Sequence, residues 1–186
     1  MKTYVIFFVL SALVLSGCSS KLKRADSKLK RIEQPFTANK YATDKKHYRA
    51  IAEGKAYDLT VAKRIAETNA RQAIASQMEV KVRSVGEQFL QNRAVSNKLE
   101  TTSKYEDITR TVIDETLVNV KIIDQESFQS KKGEYVHYVA MEMSTAQLAD
   151  RMERGISADE QLKQDFDLER FRKIYEEELE KLKSDR

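Results

Sequence analysis

Three kinds of side chain in this chain could do chemistry: one cysteine, two histidines and several closely spaced carboxylates. Asp124 and Glu126 are two positions apart, so on a strand they share one face. That geometry is open to a two-carboxylate hydrolase and equally to an ordinary polar strand end. Glu106-Asp107 and Asp114-Glu115 are adjacent pairs, and neighbours on a helix point apart, so these read as solvated charges. His137 lies between Val136 and Tyr138 in an apolar run, where a lone histidine is more often packed than a ligand. His47 stands at the end of a basic stretch. A zinc site needs three or four ligands, and no cluster of His and Cys supplies them. Nor is there a glycine-rich loop to cradle phosphate. The residues therefore imply no catalytic set, no metal and no cofactor.

Cys18 is the exception, because its neighbourhood is specific. It follows Leu15-Ser16-Gly17, and before these stand Met1-Lys2-Thr3-Tyr4 and an apolar run from Val5 to Val14. A charged start, an apolar stretch shorter than the ~20 residues a spanning helix needs and a small-residue cut site together read as a signal peptide. Leu-Ser-Gly-Cys is similar to the lipobox of bacterial lipoproteins. Residues 1–17 are then removed, and the thiol becomes a thioether to diacylglycerol. That uses up the only thiol for disulfide, metal or nucleophilic work. Acyl chains such as palmitate tether the mature chain to a membrane, and two or more give stable anchoring.

The formal charge of +4 is unevenly spread. Residues 19–49 hold ten Lys or Arg against three Asp or Glu, whereas residues 153–186 hold eight basic and eleven acidic side chains. On a cytoplasmic protein a basic balance would suggest nucleic acid. On an exported one it fits attraction to an anionic envelope surface, or simply a self-repelling linker. We read no nucleic-acid partner. Residues 18–47 form a basic tether, reaching roughly 30 Å as a flexible coil of about 30 residues. Within it, Leu22, Leu29 and Ile32 are compatible with one face of a short helix.

The elements behind the tether follow from periodicity. Tyr48 to Ala56 reads as a first strand, and Asp58 as the N-cap of a helix. Ala62, Ile65, Ala66, Ala70, Ala73 and Ile74 recur at helical spacing, an alanine face that lets a backbone approach a sheet closely. Met78, Val80 and Val82 alternate with Glu79, Lys81 and Arg83, which predicts a strand. Tyr105, Ile108, Val112, Ile113, Thr116 and Leu117 mark a second helix. Val118 to Phe128 and Tyr135 to Met143 read as strands joined by a turn at Lys131-Lys132-Gly133. Ser144-Thr145-Ala146-Gln147 resembles a capping box for a short helix. The expectation is a two-layer α+β domain over 48–152, in the order β-α-β-α-β-β-α. Residues 153–186 add an amphipathic helix, opened by Ser157 and Glu160, with an apolar seam of Leu162, Phe166, Phe171, Tyr175, Leu179 and Leu182. Such a seam could pack on its own domain or pair with another chain.

Three features resemble the LPP-twenty family of small bacterial outer-membrane lipoproteins. They are the lipobox at Cys18, the run Ala52-Glu53-Gly54-Lys55-Ala56 with the helix from Ala62 to Ala75, and the strand Tyr135-Val136-His137-Tyr138-Val139-Ala140-Met141. The likeness covers about residues 48–150. It implies an anchored, non-catalytic assembly module of the cell envelope, without naming the assembly. Some relatives serve flagellar or outer-membrane disc assembly. Ser19 after the cysteine resembles lipoproteins sent to the outer membrane. The expectation is therefore a periplasm-facing lipoprotein held by Cys18, with an envelope protein or a second copy as partner. A cell-wall-polymer hydrolase using Asp124 and Glu126, or a small-ligand carrier, is the alternative.

Overall fold

In the computed structural model, residues 34–91, 98–165 and 167–184 are described. Cys18, the expected signal peptide, the expected helix over Leu22–Ile32 and Phe166 lie outside the described residues. Residues from Gln34 onward cluster as one unit. After a single turn at Asn39–Tyr41, the elements are β1 (His47–Ala56), α1 (Leu59–Gln91), α2 (Lys98–Leu117), β2 (Lys121–Gln129), β3 (Tyr135–Ser144), α3 (Thr145–Ala158), α4 (Glu160–Asp165) and α5 (Leu168–Ser184). The class is α+β. The order is β-α-α-β-β-α, one strand fewer than periodicity predicts.

The missing strand is the instructive correction. Residues 78–82 continue α1 instead of turning into a strand. Met78 and Val82 are fully buried while Val80 is 69% exposed, so the apparent alternation is half false. The true period is helical. Ala62, Ala66, Ala70, Ile74, Met78, Val82, Val85 and Phe89 form one buried stripe at steps of four, four, four, four, four, three and four. At ~1.5 Å per residue the helix runs for about 50 Å, longer than a single layer on this sheet requires. Its alanine half lies on β1 and β3, and its larger-residue half meets α2 and α5.

Alanine at those positions brings the backbones together. Gly54 of β1 completes the approach, because a Cβ there would collide with the Ala62 carbonyl oxygen and with the Ala66 nitrogen. The sheet is antiparallel, in the order β1-β3-β2, with Gly54 opposite His137 and Ser127 opposite His137 on the other side. A bulge interrupts the β2 ladder between Ile122 and Asp124. The hairpin turn falls where expected, with the Gly133 N–H donating to the Ser130 carbonyl at 3.0 Å.

Helix starts are set by aspartates. Asp58 accepts the Val61 N–H at 2.9 Å, as read from sequence. Asp159 accepts from Leu162 and Asp167 from Arg170, opening α4 and α5. The expected Ser157 cap is absent; its hydroxyl donates back to the Glu153 carbonyl within α3. Ser144 begins α3 without a side-chain capping bond, and Thr145 bonds the Lys45 carbonyl instead. The C-terminal stretch is therefore several helical pieces, not one helix. Its seam packs inward: Leu162, Phe171, Tyr175 and Leu179 join the main core. Tyr175 donates to the Thr145 carbonyl at 3.0 Å and lies 3.1 Å from the Tyr48 hydroxyl. Burial pushes the Tyr48 phenol up to about 12.

Candidate functional site

Of the residues singled out for chemistry, His47, His137, Asp124 and Glu126 lie on the sheet and the acidic pairs lie on α2. Asp124 and Glu126 share its solvent-side face, opposite Ala140 and Tyr138. Asp124 is the acceptor of the Tyr41 hydroxyl, and the Lys40 ammonium stands 4.0 Å from it. Its carboxylate is thus engaged in holding the segment that precedes β1. Residues 34–46 were expected to end the tether, yet Tyr41 is buried and the segment lies against the domain. Neither Asp124 nor Glu126 lines any of the three cavities described below.

The adjacent acidic pairs diverge as helix geometry demands. Glu106 and Asp114 border a cavity of about 380 Å³ between α1 and α2, whose apolar wall includes Leu90, Tyr105 and Ile113. Asp107 and Glu115 border another of about 520 Å³ between α2 and α3, where Arg151 reaches Glu115 at 3.1 Å. The third cavity, beside Asp150, Glu153 and Leu168, is open surface between α3 and α5. The first of these is the place a small apolar ligand would need. The tyrosine in its wall is already satisfied, donating to the Val82 carbonyl at 2.9 Å.

His47 and His137 stand at opposite ends of the sheet. His47 lies 3.2 Å from Arg49, which also forms ion pairs with Asp44 at 2.7 Å and Glu142 at 2.9 Å. Burial tends to raise the Asp44 carboxyl, but the Arg49 guanidinium and the N–H groups of Lys46 and His47 outweigh it and hold it low. His137 is 1% exposed, beneath α1. Its Nδ1 is 2.8 Å from Ser127 Oγ, and its Nε2 has no hydrogen-bond partner. Burial, and then the nearby Lys63 ammonium, lower its proton affinity, with Glu67 opposing. Among the described residues no group of three His, Cys, Asp or Glu could hold a metal ion. No helix among them is long and apolar enough to cross a membrane.

One feature around the sheet was not legible as a motif: its two outer strands are finished differently. On β1, the Arg49 N–H donates to Thr43 Oγ1 at 2.8 Å, and the Arg49 carbonyl accepts Gln77 Nε2 at 3.0 Å. Thr43 and Gln77 are themselves 2.6 Å apart, and Asn69 donates to the Glu53 carbonyl at 3.1 Å. Side chains from α1 and the preceding segment thus occupy backbone groups that a further strand would use. Along β2, every residue but Asp124 is exposed. Among the described residues, its only outward backbone bond is the Gln125 N–H donating to its own neighbour Asp124 at 3.0 Å. Ile122, Ile123 and Phe128 on it are 41%, 36% and 46% exposed.

No protein-family model matches this chain, and neither curated proteins nor solved structures include a detectable relative.

Proposed function

We propose that this chain is a lipid-anchored protein of the bacterial cell envelope, whose α+β domain works by binding other proteins and not by catalysis. The observation that carries the reading is Leu15-Ser16-Gly17-Cys18 at the end of a signal-like segment, followed by a basic stretch before the folded unit begins at Gln34. Lipidation at Cys18 places the domain outside the cytoplasm, and Ser19 favours the outer membrane with the domain facing the periplasm. The likeness to LPP-twenty lipoproteins supports an assembly role, of which a flagellum-associated one is the narrower version. The engagement of Asp124 by Tyr41 and Lys40 weighs against the hydrolase alternative.

Metabolic labelling with a fatty acid tests the anchor. The wild-type chain takes the label and a Cys18→Ser variant does not; equal labelling of both would sink the assignment. Cross-linking in intact cells tests the binding role. The expected result is a captured protein partner or a second copy, and a solely monomeric species counts against it.

A further inference from the structure

The exposed edge of β2 points to a docking strand for a second copy of the same chain. We propose that two copies pair antiparallel along Gln125–Gln129, joining two three-stranded sheets into one of six strands. This names the partner of the binding module proposed above and rests on that reading, but the pairing itself does not require lipidation.

In an antiparallel ladder, residues alternately turn their N–H and C=O towards one neighbour and then the other. Arg49 and Glu53 of β1 turn away from β3, as their side-chain partners show. The β1–β3 register therefore points odd-numbered β3 residues at β1 and even-numbered ones at β2. Carried through the β2–β3 register, Gln125, Ser127 and Gln129 present their backbone groups to the outside. Edges are ordinarily protected by lysine, proline, a bulge or a cover. On β2 the bulge at Ile122/Asp124 and Lys121 protect only the first part. From Gln125 to Gln129 there is no lysine and no proline. The β1 edge, by contrast, is interrupted at Arg49 by Thr43 and Gln77 and at the Glu53 carbonyl by Asn69, and it carries Lys55, so the β2 edge is the more open of the two and the pairing joins β2 to β2.

Charge then selects the register. Centred on Ser127, the pairing sets Gln125 opposite Gln129 of the second copy, Ser127 opposite Ser127 and Glu126 opposite Phe128. All three outward residues are used, for about six backbone hydrogen bonds, with the Gln125 N–H exchanging its bond to Asp124 Oδ1 for one to the second copy. Centred on Glu126, it opposes Glu126 to itself. Centred on Gln125, it opposes Asp124 to Glu126. Like charges directly opposite are destabilising. Shifting towards the turn loses an outward pair. The strand therefore has a self-complementary register that its own acidic residues isolate. Such a contact buries well under the ~800 Å² per partner of a standard interface, so it is weak between free molecules. Two chains confined to one membrane meet at a far higher effective concentration.

The test uses the full chain in membranes of expressing cells. Ser127→Cys, treated with a short bismaleimide, should yield a species of twice the chain mass, at least tenfold more abundant than from Lys55→Cys on the β1 edge. Adding Gln125→Pro should abolish it while leaving the circular dichroism spectrum unchanged, since that N–H faces outward and is not used within the β2–β3 ladder. The proposal is overturned if Ser127→Cys cross-links no more than Lys55→Cys. It is equally overturned if the product has the mass of a different protein, which would leave the binding-module reading standing. Repeating the measurement with Cys18→Ser separates the two ideas. Loss of fatty-acid label with some dimer retained supports pairing apart from anchoring. Undiminished label with a strong dimer would sink the anchor alone.

Discussion

β1 and β2 flank the same central strand, yet one is built into the molecule and the other is hung on its side. β1 lies under α1, contacts it through Gly54, and has its outward backbone groups at Arg49 and the Glu53 carbonyl engaged by Thr43, Gln77 and Asn69. β2 pairs with β3, is held at Asp124 by Tyr41 and Lys40, and is otherwise exposed along its length. The difference follows from side-chain size and helix placement. A small stripe of Ala62, Ala66 and Ala70 seats the helix over β1 and β3, and a helix only ~10 Å across cannot also cover a third strand spaced ~4.8 Å away. The contrast separates an edge that is tied into the packed layer from one that is left open.

The comparison breaks first at Gly54. Gly54→Val forces a side chain into the Ala62 and Ala66 backbone, which cannot yield as a flexible side chain would. We expect a loss of about 3 kcal/mol or more, read as a lower urea midpoint, or failure to fold. A change below about 1 kcal/mol would mean the β1–α1 contact is not tight. Next comes Gln77→Ala, which removes one of the two donors to the Arg49 carbonyl and leaves Thr43 to bond that carbonyl alone. A loss of about 1–2 kcal/mol is expected for a part-buried pair of hydrogen bonds. An unchanged urea midpoint would remove the idea that α1 closes this edge.

The same contrast explains what could be read in advance. The α1 N-cap at Asp58, the alanine face, the hairpin and the buried positions of α2 are local signals, and each was legible, except that Ile65, read as part of that face, is 37% exposed. Met78-Glu79-Val80-Lys81-Val82-Arg83 misled because three apolar residues at i, i+2 and i+4 fit a strand and two of them also fit a helix. Only the continuation to Val85 and Phe89 decides between them, together with burial of Lys81 against Glu178. That ion pair comes from the far end of the chain. Burial works to raise the Glu178 carboxyl, but bonds from Lys181, Gln88 and Lys81 hold it at about 2. The edge caps were equally hidden, since Thr43, Asn69 and Gln77 look like solvated polar residues until the strand they reach is known. The lipidation proposed at Cys18 rests on a linear motif, which folding neither makes nor hides.

A smaller effect probes the strand between the two edges. His137 faces Ser127 from β2, Lys63 and Glu67 from α1, and lies opposite Gly54 of β1. Its proton affinity in the folded state lies below the unfolded value of ~6.5, so the neutral form is the one folding favours. The contribution is fully present above pH ~6.5 and is lost as pH falls through the unfolded value towards the lower folded one. Every tenfold difference in proton affinity is worth about 1.4 kcal/mol. A His137→Gln variant should therefore cost most at pH 7.5 and progressively less at pH 5, in urea unfolding at both. A cost that stays constant with pH would show that the imidazole is not titrating in its buried place.

The smallest expected effect is the one that separates the edges best. Phe128 is 46% exposed, and its ring meets Tyr138 edge-on with centroids 5.9 Å apart. Phe128→Thr keeps the strand propensity of the position while removing the ring. A half-exposed aromatic on an uncovered edge gives up little on truncation, so the stability read from urea unfolding should fall by no more than about 0.5 kcal/mol. A loss near 2 kcal/mol would place Phe128 with the core and erase the distinction between the two outer strands. If instead stability holds while cross-linking through Ser127→Cys falls severalfold, the exposure of β2 has a use that the monomer alone does not explain. The Phe128 ring would then be contacting Glu126 across the junction between copies, where the self-complementary register puts it.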